Sequence, residues 1–462
     1  MPAWSTPART IAYGALIASA AIGFRLVAFA GRDLAAAASP APAARAAAPR
    51  SDALMHVLLA LIVVILTARV VGALFRRLGQ PPVMGEVLAG ILLGPSLLGR
   101  VAPGVASFLL PPAVAPHLAV IAQIGVILYM FLVGLELDPD LLKHRGHTAV
   151  AISHASIVAP FLLGAILALG IYEREATRDV PFPTFALFLG VSMSVTAFPV
   201  LARILTDRGM AKSPMGALAL SCAAADDVTA WCLLALLVSV VHAHVASAAV
   251  TFLLTLAFLA FMLVVGKSLA SRLAPEGTGT ASQAAVAIAL VCLLASALVT
   301  ELIGIHAIFG AFLLGAVIPH RSSLARDLTA KLRDIVASLL LPAFFAFTGM
   351  RTEVGLVRGA PSWATCAIVV LVASAGKLGG TSLAARVTGL PWRDAIALGV
   401  LMNTRGLMEL IVLNVGLDLG IIAPRLFAML VLMAIVTTLA TTPALDRLSQ
   451  RAAWRMEIEQ AA

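Results

Sequence analysis

Charge is scarce in this chain. Only 12% of its 462 residues are Asp, Glu, Lys or Arg, against 61% hydrophobic. That excludes a soluble globular domain, in which the charged share is nearer ~25%, and indicates a polytopic membrane protein. Cysteine is equally sparse. Cys222, Cys232, Cys292 and Cys366 lie in apolar stretches without metal-ligand spacing, which argues against a disulfide framework or a zinc centre and leaves them as small hydrophobes. No Gly-rich nucleotide loop or nucleophile motif stands in a loop, so nothing points to an enzyme or to a cofactor. The formal net charge of +9 would suit nucleic acid if it were clustered. Instead the basic residues stand singly between apolar runs and read as topology signals, so no nucleic-acid partner is expected. Five lysines against 27 arginines, with abundant Ala, Gly and Pro, hint at a GC-rich bacterial genome and hence at a bacterial inner (cell) membrane.

Residues 1–50 differ from the rest. Arg9 precedes an apolar run over 11–30 that Arg25 interrupts, and an Ala/Pro linker follows over 35–49. This is a signal peptide or an extra signal-anchor helix. Thirteen apolar spans then follow, at about 54–74, 80–98, 117–137, 147–171, 182–206, 212–241, 246–272, 282–300, 303–319, 336–354, 360–386, 394–416 and 423–445. Each is near the length that a spanning helix needs. One alternating set of loops and ends carries eighteen Lys and Arg, among them Arg76, Arg203, Arg208, Arg326 and Arg447. The other carries Arg100, Arg174, Arg178, Arg351 and Arg358. Basic loops face the cytoplasm, so the first span should start outside and the C-terminus, with a short tail over 447–462, should lie inside.

The two halves are related. Gly79, Gly85 and Gly90 match Gly304, Gly310 and Gly315 at a single offset of 225, and Val-Gly-Leu-Glu-Leu-Asp (133–138) faces Thr-Gly-Met-Arg-Thr-Glu (348–353) at 215. Spans 1 to 6 (51–245) thus correspond to spans 8 to 13 (273–446), with 246–272 as a linker helix. An odd number of spans separates equivalents, so the repeats have opposite membrane orientation, the mark of secondary transporters whose sites lie where helices are broken near the midplane.

Asp226 and Asp227 sit at the centre of span 6, with 14 residues on either side between Lys212 and Val241. At ~1.5 Å per residue both carboxyls fall near the middle of a hydrocarbon layer ~30 Å thick. Ionisable groups at that depth are costly and mark function; the bland alternative is a polar pair that fixes helix packing. Span 5 is interrupted by Pro199, which cannot donate to the Val195 carbonyl, with Ser192, Ser194 and Thr196 beside it. Its mate, span 12, is weakened at Asn403, Thr404 and Gly406. Two breaks at matching places would leave carbonyls and helix ends around a common space, where a dehydrated cation finds oxygens and a span 6 carboxylate completes the set.

Among the other membrane charges, Lys377 on span 11 is deep enough to reach the aspartates if the helices touch; otherwise it snorkels to the inner interface. Arg405 either offsets a carbonyl-rich helix end or pairs with Glu409 or Glu86. Glu301 and His306 occupy the turn between spans 8 and 9 and suit an interface. His242 and His244 form a lone His-x-His that is weak as a metal site.

Together these segments resemble the monovalent cation:proton antiporter-2 family. The carriers are Gly-Gln-Pro-Pro-Val-Met-Gly-Glu-Val-Leu-Ala-Gly (79–90), Phe-Leu-Val-Gly-Leu-Glu-Leu-Asp (131–138), Thr-Ala-Phe-Pro-Val-Leu-Ala-Arg (196–203), Ala-Asp-Asp-Val-Thr-Ala-Trp (225–231), Gly-Ile-His-Ala-Ile-Phe-Gly (304–310) and Met-Asn-Thr-Arg-Gly-Leu-Met-Glu-Leu (402–410). The resemblance implies an all-α fold of about 13 transmembrane helices, divided into a dimerisation domain and a moving core, and usually a homodimer. It further implies that Asp227 is the main cation and proton carrier and that Asp226 partners Lys377. Many members append a soluble regulatory domain after the last helix, and this chain is expected to lack such regulation in cis. The expected activity is exchange of Na+ or K+ for H+ by alternating access. A sodium-coupled symporter of an organic solute on a related fold is the second reading, and a cation-binding membrane sensor the third.

Overall fold

The structure, a computed structural model, describes residues 50–136, 146–177, 180–210, 213–242, 245–273, 281–320 and 322–449. The N-terminal extension (1–49), the end of the tail (450–462) and His244 lie outside the described residues. Among those described, the chain is helical, with one isolated β-bridge between Ala176 and Ile422.

The principal helices are α1 (Arg50–Arg77), α2 (Pro82–Leu93), α3 (Ala115–Glu136), α4 (Gly146–Glu175), α5 (Phe182–Ser194), α6 (Phe198–Asp207), α7 (Pro214–His242) and α8 (Val245–Phe261). Then come α9 (Gln283–Ile303), α10 (Ala307–Val317), α11 (Ser323–Ile335), α12 (Leu341–Met350), α13 (Gly359–Val387), α14 (Trp392–Met402), α15 (Leu407–Asp418) and α16 (Pro424–Ser449). Among the described residues, eleven helices are long and apolar enough to cross a membrane, and twelve when α14 and α15, bent by 46°, count as one broken span. The exact count of thirteen is not confirmed, because a further apolar helix is too short to cross. The segment expected at 303–319 forms α10, whose 11 residues rise only ~16 Å, about half a hydrocarbon core. Gly304, at φ +92, turns the chain just before it.

Within 320–335, which carries no apolar span, Ser323–Ile335 forms the amphipathic α11. Ser322 caps it by accepting from the Ala325 N–H, Leu324 and Leu328 are buried, and Arg326, Lys331 and Arg333 face outward.

The matched glycines hold matched places. Gly79 and Gly304 both adopt left-handed backbone (φ +69 and +92), which only glycine takes without cost. Gly90 lies on the backbone of Ala346 and Gly349 on that of Val87; Gly315 lies on Phe131 and Gly134 on Phe312, with no room for a Cβ at any of them. So α2 of the first half packs on α12 of the second, while α10 of the second packs on α3 of the first. Small residues let helix backbones approach in lipid, where dispersion rather than water exclusion drives association. The crosswise exchange interlocks the halves.

Two helix groups result. Helices α2, α3 and α9 to α12 pack chiefly with one another, with α1 laid on α2, and α4, α5, α7, α13, α14 and α16 form the second group. The broken spans belong to the second group.

Candidate functional site

Span 5 breaks over Val195–Ala197, where the chain is extended (φ −68, ψ 136 at Val195; φ −92, ψ 93 at Ala197) before α6 begins at Phe198. Pro199 in the first turn of α6 lacks the N–H that would continue the helix and is tolerated where that N–H would be unsatisfied anyway. Span 12 breaks over 403–406, between α14 and α15. The two breaks cross and are tied together. The Ala197 N–H donates to the Thr404 carbonyl at 3.0 Å, and the Thr196 hydroxyl lies 3.0 Å from the Met402 carbonyl.

Backbone freed by a break must find partners when no water is at hand. Arg405, fully buried, supplies several. Its guanidinium donates to the Ser192 carbonyl at 2.8 Å and the Met193 carbonyl at 2.7 Å, capping the C-terminal end of α5, and pairs with Glu409 at 2.8 Å. The two roles left open for Arg405 are thus filled together, by the helix end and Glu409. Glu86 lines a cleft with Arg69 instead. From α16, the Thr438 hydroxyl accepts from the Arg405 N–H at 2.8 Å and donates to the Arg405 carbonyl at 2.9 Å, closing the second break. The Thr404 hydroxyl donates to Leu401 at 2.8 Å, while Asn403 Oδ1 is buried without a hydrogen-bond partner.

Asp226 and Asp227 project from the middle of α7 into contrasting surroundings. Asp226 is fully buried and saturated. Its carboxylate accepts from the Ser153 hydroxyl (2.5 Å), the Ser156 hydroxyl (2.8 and 3.1 Å), the Thr196 hydroxyl (2.8 Å) and the Lys377 ammonium (2.9 Å). Lys377, also fully buried, donates onward to Thr196 at 2.6 Å. The lysine therefore does not snorkel. Gly376 rests on Pro160, and Gly380 on Ala155 and Ala159, so α13 meets α4 closely enough to place the ammonium beside Ser156. A buried ion pair is tolerable only when its remaining donors and acceptors are satisfied, and here they are.

Asp227, 4% exposed, has no such shell. Its Oδ1 is buried without a partner among the described residues, and its near neighbour is the backbone N–H of Phe198 at the start of α6. The positive end of a helix dipole favours a carboxylate there. Residues adjacent on a helix point ~100° apart, which is how one of two consecutive buried aspartates comes to be saturated while the other keeps an unpartnered oxygen among the described residues.

Ser153 and Ser156 were not singled out in the sequence. Their signal was two hydroxyls three apart, hence on one face, in an otherwise apolar span. Of the remaining candidates, Glu301 caps α10 by accepting from the Ala307 N–H at 2.9 Å and stays exposed, as an interface position would. Among the described residues no group of His, Cys, Asp and Glu is arranged to hold a metal ion.

Access differs between the two faces. On the arginine-rich face, a cleft of about 280 Å³ between the helix groups is lined by Arg69, Glu86, Tyr129 and Arg203 and reaches Pro199 and Leu407, one beside each break. On the opposite face a cleft of about 250 Å³, with Glu301, His306 and Asp418, stops at Val238 and Val415, ~12 Å along α15 from its break.

Residues 62–448 match the family described as sodium/hydrogen exchanger, transmembrane. The chain is 44% identical over 397 residues to the Na(+)/H(+) antiporter NhaS4 of Synechocystis sp., covering 85% of this chain and 97% of that one. It is 41% identical to cation/H(+) antiporter 17 of Arabidopsis thaliana and 33% identical to K(+)/H(+) antiporter 1 of Saccharomyces cerevisiae, over 86% and 82% of this chain but 48% and 45% of theirs. The chain thus spans nearly the whole cyanobacterial relative and about half the length of the plant and yeast ones. In fold it is similar to the sodium proton antiporter MjNhaP1 of Methanocaldococcus jannaschii, with a TM-score of 0.63 at 14% identity over 85% of this chain and 99% of that one.

Proposed function

The chain belongs to the sodium/hydrogen exchanger family, and from that premise we propose that it exchanges a monovalent cation, Na+ or K+, for protons by alternating access, with Asp227 as the carrier. One observation carries the reading: of two adjacent buried aspartates at the crossing of two broken helices, one is saturated and the other keeps an unpartnered oxygen.

A carboxylate in that position binds a proton or a dehydrated cation, and either neutralises it. The two ligands compete for one charge. An empty, ionised Asp227 would leave an unpaired charge to cross a hydrocarbon layer, so only a loaded site passes readily from face to face. Asp226 and Lys377 neutralise each other and act as the fixed wall of the site. Thr196, whose hydroxyl joins Asp226, Lys377 and the Met402 carbonyl, holds the first break against that wall. Pro199, Asn403 and Thr404 keep the breaks open, and Arg405 compensates the helix end they expose. Such a change of access moves the second helix group against the first.

The positive-inside bias supports a cytoplasmic arginine-rich cleft and C-terminus in a bacterial inner membrane, and the family resemblance supports a homodimer. The relatives described above are named as cation/proton antiporters, and the organic-solute symporter is set aside.

Purified protein in liposomes carrying an internal pH dye should release protons on addition of Na+ or K+ without any organic solute. Asp227→Asn should abolish the signal, and exchange at the unaltered rate would refute the assignment.

A further inference from the structure

The arginine-rich face holds a second cleft of about 390 Å³, which shares Arg76, Pro81 and Arg203 with the passage toward the site. Its walls come from both helix groups. Arg76 and Gln80 stand at the end of α1 and in the turn after it; Arg203 and Arg208 stand on α6 and just beyond. Among the described residues three guanidinium groups line it, one of which, that of Arg208, pairs with Asp446 at 2.8 Å.

The polar groups of this cleft are not all satisfied from within the protein. Arg208 donates through Nη2 to Asp446 and, at 3.4 Å, to the Thr442 carbonyl, yet its buried Nε has no acceptor among the described residues. Gln80 Oε1, on the facing wall, is buried without a donor. An unmade hydrogen bond at a buried donor is costly. The planar fork of arginine matches the oxygens of a phosphate group through paired charge-assisted hydrogen bonds. Arginines that approach from two opposed walls can grip one such group from both sides.

We infer that this cleft is a binding site for a phosphate-bearing anion, inorganic phosphate or the headgroup of a phosphomonoester lipid, which bridges Arg76 of one helix group to Arg203 and Arg208 of the other and slows transport by holding this face open. Binding itself rests only on the cleft. The slowing rests on the proposed exchange cycle, because it requires the two helix groups to change their separation. A ligand that binds one state and not the other depletes the second by the factor 1 + [L]/Kd, so phosphate at ten times its Kd should slow turnover about tenfold.

The test uses the full chain in two settings. In detergent, millimolar phosphate should raise the unfolding temperature of the wild type above that seen in chloride or sulfate at equal ionic strength. In phosphatidylcholine liposomes, uptake of 22Na+ or 86Rb+ should slow with phosphate on both sides, or, if a lipid headgroup is the ligand, when phosphatidic acid replaces part of the phosphatidylcholine. Arg76→Gln/Arg203→Gln should lose whichever response the wild type gives, and Arg76→Lys/Arg203→Lys, which keeps charge but not the fork, should weaken it several-fold and serves should the first variant not fold. A response equal to that of chloride and sulfate, no response to either ligand, or a response that persists in both variants overturns the proposal. Loss of uptake under every condition would count against exchange, while the thermal shift would still report on the site.

Discussion

At the scale of single residues, the proposed division of labour between Asp226 and Asp227 rests on hydrogen-bond supply rather than on depth. Both are buried, but the donors around Asp226 are three hydroxyls and an ammonium, whereas Asp227 has one backbone amide. Removing one member of a sealed ion pair leaves an uncompensated buried charge, typically at ~3–5 kcal/mol. Asp226→Asn should therefore destabilise the detergent-solubilised protein strongly, as read by its unfolding temperature, and Asp226→Asn/Lys377→Met should recover much of that loss. If the double variant unfolds as early as the single one, the pair does not neutralise itself. Asp227→Asn should leave stability unchanged or raised while transport is lost. The depth of both aspartates was legible from their place in an apolar run. The choice between them rested on family resemblance, since nothing in Ala-Ala-Asp-Asp-Val tells which carboxyl meets Ser153 and Ser156.

At the scale of elements, the breaks and the glycines decide the outcome. Thr438 is a single hydroxyl from α16 that holds both backbone groups of Arg405. Thr438→Val removes both bonds at constant shape, and buried unsatisfied groups cost ~1–3 kcal/mol each. The expected result is slower exchange with a raised KM for the cation, largely restored in Thr438→Ser; equal turnover in Val and Ser variants would deny the clamp. Gly315 lies on the backbone of Phe131, so Gly315→Ala must push α10 away from α3. Yield of monodisperse protein should fall sharply, whereas alanine at Gly104, which meets nothing within 4 Å, should be tolerated. The matched spacing of these glycines could be read in advance; that they pair crosswise between halves could not. Nor could the short reach of α10, because an apolar run of 17 residues looks the same whether the helix fills it or stops at a turn.

At the scale of the whole molecule, the two faces are unequal. Opposite the arginine-rich clefts, Arg351 at the end of α12 reaches across to α15, donating to Asn414 at 2.8 Å and pairing with Asp418 at 2.5 Å, while Asn414 donates to Thr348 at 2.9 Å. These bonds join one helix group to the other; the exposed Arg351–Asp418 pair contributes ~0–1 kcal/mol and the part-buried bond to Asn414 ~1 kcal/mol or more. Arg351→Ala should favour the conformer open on that face. A cysteine placed by Val415→Cys, at a position now 6% exposed beside the shallow cleft, should react with a membrane-impermeant maleimide about fivefold faster or more in the Arg351→Ala background. An unchanged rate would show that the latch does not govern access.

The sequence by itself determined the membrane class, the apolar spans, the depth of the aspartates, the two break points and the relation between the halves. Each of these is written in local polarity, in periodicity or in residues such as proline and glycine that act on their own backbone. Only the tertiary structure decided that Ser153 and Ser156 seal Asp226, that Lys377 is held at the site rather than drawn to the interface, that Arg405 serves a helix end and Glu409 at once, and which face gives access to the breaks. Those outcomes depend on which helix faces meet. In a chain whose spans are apolar on nearly every side, polarity does not choose among faces; close backbone approach at small residues and the pairing of a few buried polar groups do.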